Sequence, residues 1–326
     1  MTRIPLVLLA VAFGAATLPM GATPSRAQTF PSRLIRIVVP FPAGGPTDLL
    51  ARHVSQRLSA MLGQGVIVEN EPGAGGRTGT QAVARANPDG YTLLLGGTNS
   101  NAMAAALYKT LNYDPIRDFV AVAAIATDSN ALVVNPSVPA KTIAELVSYA
   151  KANPGKLVSG AALGIFPHFA LELLKVRTEI DMIFVPYKGA APAITDLLGG
   201  QIQVGAAAKS VLLPHIQAGK LRPLAVTSMA RWPELREVPT MREGGFAGYP
   251  SEIWFGLLAP AATPPAIVAR LNAAINQCLR SAELRESFAK LGLEVKIGTP
   301  SDFAAAIADD AKEWDGIVKE TGIKLE

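Results

Sequence analysis

Short apolar runs alternate along the chain with stretches in which apolar residues recur at helical spacing. Arg36–Val39 is a β-branched run typical of a buried parallel strand, and an amphipathic helical pattern follows it and ends near Gly63. The same order of strand, glycine-rich loop and helix begins again at Val66 and at Tyr91. This alternation predicts an α/β fold with a mainly parallel sheet flanked by helices.

A second set of α/β elements begins near residue 128. It opens with a predicted short strand at Leu132–Val134, and Thr142 is followed three residues later by Glu145, which predicts a capped helix. From Ile253 onwards, a further strand and several helices are predicted to return to the first set. The chain therefore crosses between the two sets twice.

This order predicts two lobes. Residues 28–127 form the first part of lobe 1, residues 128–250 form lobe 2, and residues 251–326 return to lobe 1. The length of 326 residues supports this division, because single cores rarely grow beyond ~250 to 300 residues. A hydrophobic content of 49% supplies enough apolar surface for both cores. A cleft between two such lobes is the expected ligand site.

The N-terminus is typical of a cleaved export signal, predicted here as residues 1–27. Arg3 precedes an apolar stretch at Ile4–Ala16, and Ser25 and Ala27 place small residues where a signal peptidase reads the chain. The stretch is shorter than the ~20 apolar residues that a membrane-spanning helix needs. We therefore predict a periplasmic protein without a membrane span.

The loops between predicted strands and helices are rich in small and polar residues. Helix N-termini at such loops carry unpaired N–H groups and about +0.5 charge, so they favour anions such as carboxylates. Ala43-Gly-Gly45 permits close approach of a ligand, Thr47 adds a hydroxyl, and Asp48 is predicted to cap free N–H groups. Further polar groups come from Thr98, Asn99 and Ser100 in lobe 1 and from Tyr187 and Lys188 in lobe 2. Several such loops in both lobes predict one shared anion site.

Several other kinds of site are disfavoured. The glycines of Gly73–Gly79 lack the Rossmann spacing and no Walker lysine follows them, so no nucleotide site is predicted. No histidine has metal-ligand spacing to another ligand, so neither a metal nor another cofactor is predicted. Cys278 shares helical spacing with apolar neighbours and is expected to be buried. The 30 basic and 26 acidic residues form no cationic stripe, so no nucleic-acid partner is expected.

The histidines leave open an alternative from another class of protein. His215 is expected to cap a helix start, whereas His168 begins a helix directly after a glycine-containing loop. An exported hydrolase would use His168 or Lys188 as its base, with Ser159 or the Ser100 cluster as the nucleophile. No nucleophile elbow or other activation motif accompanies these residues.

Seven motifs follow one another along the chain after residue 27. They are Pro40-Phe-Pro-Ala-Gly-Gly-Pro-Thr-Asp48, Asn70-Glu-Pro-Gly-Ala-Gly-Gly-Arg-Thr-Gly79, Asn87-Pro-Asp-Gly-Tyr91, Val185-Pro-Tyr-Lys-Gly189, Asp196-Leu-Leu-Gly-Gly-Gln201, Leu213-Pro-His-Ile-Gln-Ala-Gly-Lys-Leu221 and Trp254-Phe-Gly-Leu-Leu-Ala-Pro260. Together they resemble the solute receptors of tripartite tricarboxylate transporters, often called Bug receptors. The resemblance implies a type II-like, two-lobed periplasmic-binding-protein fold in which each lobe is a mainly parallel sheet flanked by helices.

The resemblance also implies a function and a set of contacts. Such a receptor is a monomer without catalysis that closes on a small carboxylate and delivers it to a two-component membrane permease; a sensor protein is the alternative partner. The loop chemistry and the resemblance together give fifteen candidate ligand contacts. They are Phe41, Ala43, Gly44, Gly45, Thr47, Asp48, Thr98, Asn99, Ser100, Gly164, His168, Tyr187, Lys188, Gly189 and Lys209.

Two departures from the family pattern affect the expected solute. The loop Gly160–Pro167 is more apolar than in the family, and Ala206–Lys209 has alanines where an acidic or amide residue is usual. Lys209 is therefore expected either to bind a second carboxylate or to be solvated. An apolar or aromatic carboxylate is the predicted solute.

Overall fold

The computed structural model describes residues 30–250 and 252–323. The predicted export signal, residues 1–27, lies outside the described residues. Within those described ranges, no helix is both long enough and apolar enough to cross a membrane.

The helices and strands alternate for most of the chain, as predicted. The strands are β1 Ile35–Val39, β2 Val66–Asn70, β3 Thr92–Gly97, β4 Phe119–Val134, β5 Leu157–Ala162, β6 Met182–Tyr187, β7 Val204–Ala208, β8 Arg222–Val226, β9 Glu252–Pro260 and β10 Glu294–Val295. The helices are α1 Pro46–Leu62, α2 Arg77–Ala84, α3 Ala102–Leu107, α4 Ile143–Ala152, α5 Phe166–Thr178, α6 Ala190–Leu198, α7 Lys209–Gln217, α8 Pro265–Leu279, α9 Ala282–Lys290 and α10 Pro300–Thr321.

The strands form two sheets that share β4. In the first sheet the order is β2-β1-β3-β9-β4, with β10 also on β4. Phe119–Ser129 of β4 pair antiparallel with β9, and Asn130–Val134 pair antiparallel with β7 and β8 of the second sheet. The second sheet continues through β7, β5 and β6, which are mutually parallel. Each lobe is therefore an α/β unit, and both lobes are built on one continuous strand.

The length of β4 differs from the sequence-based prediction. The predicted strand Leu132–Val134 is only its C-terminal end, because β4 begins at Phe119. Alanines and a short polar stretch interrupt the pattern of this strand, and most of its residues are buried, so no period of two is visible. Residue 128, predicted to open lobe 2, lies inside this strand.

The start of α7 is also earlier than predicted. The expected cap, His215, lies in the last turn of α7, which begins at Lys209 and has Pro214 in its interior. Proline is commonest in the first helical turn, and that rule gives the wrong boundary here. By contrast, the predicted cap at Thr142 is confirmed, since its side chain accepts a hydrogen bond from the N–H of Glu145.

The last helix packs against both lobes. It lies on α3 and β4 on one side and on α5 of the second lobe on the other. Trp314 is fully buried there, with its ring centroid 5.6 Å from those of both Phe166 and Phe169. This apolar contact holds α10 of lobe 1 against α5 of lobe 2.

Candidate functional site

A cleft of about 1070 Å³ lies between the lobes and is lined from both sides. Four helices begin on its wall, at the N-cap residues Gly45 (α1), Ile165 (α5), Gly189 (α6) and Ala208 (α7). None of these N-cap residues provides a side-chain hydrogen bond to its own helix. The cleft therefore receives the positive ends of several helix dipoles, and it favours an anion.

Asp48 shapes the first wall from beneath. Its Oδ2 accepts hydrogen bonds from the N–H of Gly44 at 2.9 Å and from Nε of Arg52 at 3.0 Å. Its Oδ1 accepts one from Nδ2 of Asn70 at 3.0 Å. Burial acts to raise its pKa, but these bonds outweigh it and hold the pKa of Asp48 below its ordinary value. Asp48 thus fixes the Phe41–Thr47 loop and does not itself line the cleft.

The glycine cluster after β2 forms the neighbouring part of the wall. Gly75 and Gly76 have φ angles of 70° and 95°, in the left-handed region that other residues rarely adopt. A Cβ on Gly76 would also lie 3.2 Å from the ring of Phe41. The glycines that suggested a dinucleotide loop are therefore required by a tight turn against Phe41, a structural reason that needs no nucleotide.

The Thr98 hydroxyl is engaged within lobe 1. It donates to Oδ2 of Asp310 at 3.0 Å and accepts from the backbone N–H of Trp254 at 3.1 Å. Ser100 donates to the side chain of Asn101 and accepts from a backbone N–H, so it shapes the loop from a buried position. Burial raises the pKa of Asp310 to about 6, although Trp254 and Thr98 donate to it.

Asn99 joins the two lobes. Its Oδ1 accepts a hydrogen bond from the backbone N–H of Phe166, the first residue of α5, at 3.2 Å. A side chain of lobe 1 thereby caps a helix of lobe 2 across the cleft. This bond favours an arrangement in which the two walls are close together.

The second wall carries Tyr187, Lys188 and Gly189. The Tyr187 hydroxyl donates to Oδ2 of Asp196 at 2.7 Å, within lobe 2. Burial and then the Asp196 carboxylate raise the pKa of Tyr187 to about 12. Lys188 is exposed and forms no ion pair within the described residues, so its ammonium adds positive charge at the rim. Beyond Gly189, the start of α6 is made of small residues that leave its backbone accessible.

His168 supports the wall from behind. It is only 5% exposed, its ring centroid is 4.4 Å from that of Phe184, and its Nδ1 accepts from the N–H of Gly164 at 3.3 Å. Burial holds the pKa of His168 below its ordinary value. His168 and Gly164 thus stabilise the loop that ends at Phe166, and neither lines the cleft.

Lys209 is neither in the wall nor solvated. Its Nζ lies 2.8 Å from Oε2 of Glu234, and its ammonium is 5.5 Å from the centre of the Trp232 ring. Only 13% of the side chain is exposed. Glu234 therefore already neutralises the Lys209 ammonium, which the sequence offers as a partner for a second carboxylate.

The His168 form of the hydrolase alternative, in which that histidine is the base for a serine, is not assembled. Ser159 is fully buried and its Oγ donates to the carbonyl of Ile183 at 3.2 Å. Ser100 is held by Asn101, and the Nδ1 of His168 is engaged with Gly164. No hydrogen bond within the described residues joins His168 to either serine.

The structure brings ten of the fifteen predicted contacts together on the wall, and their contact with a ligand stays a prediction. These are Phe41, Ala43, Gly44, Gly45, Thr47, Thr98, Asn99, Tyr187, Lys188 and Gly189. The remaining five, Asp48, Ser100, Gly164, His168 and Lys209, lie behind it. Asp128 and Asn130 of β4 also line the cleft and were missed, since they belong to no motif and their strand was not predicted. Neither carboxylate oxygen of Asp128 and neither hydrogen of the Asn130 amide nitrogen has a well-formed hydrogen bond.

Comparisons with known proteins identify the family. The family model described as tripartite tricarboxylate transporter family receptor matches residues 50–323. The protein BugT of Bordetella pertussis is 39% identical over 306 residues, which cover 93% of this chain and 94% of BugT.

Two solved structures resemble the whole molecule. A protein of R. palustris, solved with adipate, is 37% identical, has a TM-score of 0.81, and is matched over 90% of this chain and 99% of its own. MatC from Rhodopseudomonas palustris, with bound malate, is 33% identical, with a TM-score of 0.78 and coverage of 89% and 100%. These matches confirm the two-lobed periplasmic-binding-protein fold. The chain therefore belongs to the receptor family of the tripartite tricarboxylate transporters.

Proposed function

We propose that this protein is a periplasmic receptor that binds a small carboxylate between its lobes and presents it to a membrane transporter. The observation that carries the proposal is the convergence of four helix starts on one cleft. Asn99 already caps α5 and Asp128 faces the start of α7, so α1 and α6 are the starts without a side-chain cap among the described residues. Unpaired N–H groups at helix starts bind carboxylates without needing a cationic side chain. Family membership and the acids bound by two similar structures support the same ligand class.

The lining of the cleft favours a solute whose body, apart from the carboxylate, is largely apolar. Most side chains around the cleft are alanine, proline or other apolar groups, including Ala161, Ala191 and Ala207. Such groups contribute about 25 cal/mol for each Å² of apolar surface that the solute buries. The backbone groups thus select the carboxylate, and the small side chains leave room for an apolar body.

Binding of a solute by both lobes favours the closed arrangement. The Asn99–Phe166 hydrogen bond provides one direct link between the walls, and a carboxylate held by N–H groups of both lobes adds others. A transporter partner would recognise this closed form. Processing at residues 1–27 and location in the periplasm are parts of the proposal that N-terminal sequencing and cell fractionation test.

The ligand class is tested by thermal unfolding of protein that has been unfolded and refolded to remove bound solute. Dicarboxylates, aromatic acids and their uncharged amides form the panel. An acid at ~1,000 times its Kd adds ~4 kcal/mol and raises the midpoint by several degrees, whereas its amide does not. Equal shifts for acids and amides would show that the helix starts do not select an anion.

A backbone donor is tested by Ala190→Pro. Ala190 is the first residue of α6, where proline is tolerated but its N–H is lost. Removing a bond to a charged group costs ~1.5–3 kcal/mol, which corresponds to ~10- to 100-fold weaker carboxylate binding. Ala282→Pro, at the first residue of α9 and outside the cleft, is the matched control and leaves affinity unchanged. Equal affinities of both variants would remove α6 from the site.

A further inference from the structure

Asp128 and Asn130 are the unusual feature of the cleft. They lie two residues apart on β4, so they face the same side of the strand, and both line the cavity. Asp128 is 3% exposed and Asn130 is 1% exposed. They lie where β4 leaves its pairing with β9 and begins to pair with β7, at the junction of the two lobes.

Both side chains have unused hydrogen-bonding capacity. Neither oxygen of the Asp128 carboxylate has a well-formed hydrogen bond, and the amide nitrogen of Asn130 has none. The backbone N–H groups of Ser129 and Lys209 are close enough to act on the pKa of Asp128, but they do not offset its burial. Buried polar groups left unsatisfied cost ~1–3 kcal/mol each, so a ligand group that pairs with them gains that free energy.

The unpaired atoms define what such a group must offer. Asp128, when ionised, only accepts hydrogen bonds, and the nitrogen of Asn130 only donates them. An ammonium group would satisfy Asp128 but leave Asn130 unpaired. A carboxyl group that carries one proton donates its O–H to Asp128 and accepts at its other oxygen from Asn130, and a primary amide offers the same donor and acceptor.

The charges around Asp128 and Asn130 also favour a ligand carboxyl group that carries a proton. The ionisable groups that act on Asp128 are Lys209 of α7 and Glu252 of β9. Lys209 is already paired with Glu234 at 2.8 Å. Glu252 adds negative charge, which Lys296, 3.7 Å from it, partly offsets. Two adjacent carboxyl groups in an apolar site hold one proton between them, because both cannot be ionised.

We propose that Asp128 and Asn130 form a second subsite that receives the far carboxyl group of an α,ω-dicarboxylic acid and shares one proton with it. The inference rests on the proposed function, in which the helix starts hold the first carboxylate. It narrows the solute to an acid with two carboxyl groups separated by an apolar body. At pH 8, where Asp128 of the free protein is ionised, the complex takes up about one proton from solvent as it forms, and this proton bridges Asp128 and the ligand.

Calorimetric titration of the stripped full-length protein tests the subsite. The probes are straight-chain diacids of four to eight carbons, the matching monoacids, the diacid monoamides and the ω-amino acids. We expect the best diacid to bind at least ~30-fold more tightly than its monoacid at pH 6. This ratio corresponds to the two hydrogen bonds that its far carboxyl group would form with Asp128 and Asn130. Titrations in buffers of different ionisation enthalpy should show uptake of about one proton at pH 8. The affinity for the diacid should fall ~10-fold per pH unit above about 7, since one proton is then taken up.

Asp128→Asn separates this role from a structural one. An amide supplies the donor without a proton, so the variant should bind diacids with no proton uptake and with affinity independent of pH. Glu313→Gln is the control, because Glu313 is also a carboxyl group whose pKa burial raises but it does not line the cleft. That variant should keep the proton uptake.

The outcomes distinguish the two proposals. Monoacids that bind while diacids gain nothing, or proton uptake that persists in Asp128→Asn, would overturn the second subsite and leave the proposed function intact. Tighter binding of the ω-amino acid than of the diacid would replace the second subsite with an ammonium site, and tighter binding of the monoamide would replace it with an amide site. Failure of every acid, including the monoacids, would overturn the proposed function itself.

Discussion

Replacement of Asp128 by asparagine should stabilise the ligand-free protein at pH 8 but not at pH 4. Burial is the largest cause of its raised pKa, from an ordinary 3.8 to about 7. Between these values the folded protein holds a proton that the unfolded chain has released. Stability therefore falls as pH rises from about 4 to about 7, and above that the buried charge persists. At ~1.4 kcal/mol per pH unit, the difference of about three corresponds to at most ~4 kcal/mol.

Urea unfolding of wild type and Asp128→Asn at pH 5, 6, 7 and 8 measures this difference directly. The gap in unfolding free energy should widen with pH and approach a plateau above about 7. Asp309→Asn, with a side chain that is 79% exposed, is the control and should show no such trend. A gap that is constant from pH 5 to pH 8 would refute the assignment of a buried, unpaired carboxylate.

Three further perturbations test other parts of the structure. Asn99→Ala removes the hydrogen bond to the Phe166 N–H, so the ligand-free protein should open and its radius of gyration in X-ray scattering should increase. Carboxylate affinity should fall by less than ~10-fold. An unchanged radius of gyration would contradict a role of Asn99 in closure. Tyr187→Phe should leave carboxylate affinity within about threefold and lower stability by ~1 kcal/mol, because its hydroxyl serves Asp196; a large affinity loss would place that hydroxyl on the ligand. Trp314→Ala should cost ~3–5 kcal/mol in denaturant unfolding, as it empties a fully buried site; a loss below ~1 kcal/mol would show that α10 is not required.

The loops of the cleft could be predicted from the sequence because their signals are local. Glycine and small residues after a strand, followed by a helical pattern, mark a helix start wherever the strand lies in the sheet. This is why Gly45 and Gly189, in different lobes, were both predicted at the site and both line the cleft.

The roles of individual side chains depend on partners that the local sequence does not reveal. Thr98 was predicted from its hydroxyl, yet its acceptor, Asp310, is 212 residues away. The sequence around Lys209 does not show its ion-pair partner, Glu234, which the fold places 2.8 Å from its ammonium. Asp128 and Asn130 lie in a strand whose alanines conceal its pattern, and their significance comes only from the lack of partners in the fold.

The sharing of β4 between the two sheets also determines when the chain can fold. β3 and β4 are both completed by β9, which begins at Glu252. A growing chain that has produced all of lobe 2 therefore still has two unpaired strand edges in lobe 1, and such edges invite association with other chains. Pairings of this sequence separation slow folding. The lobes should form and melt as one cooperative unit, and a fragment that ends near residue 250 should aggregate instead of folding as an independent domain.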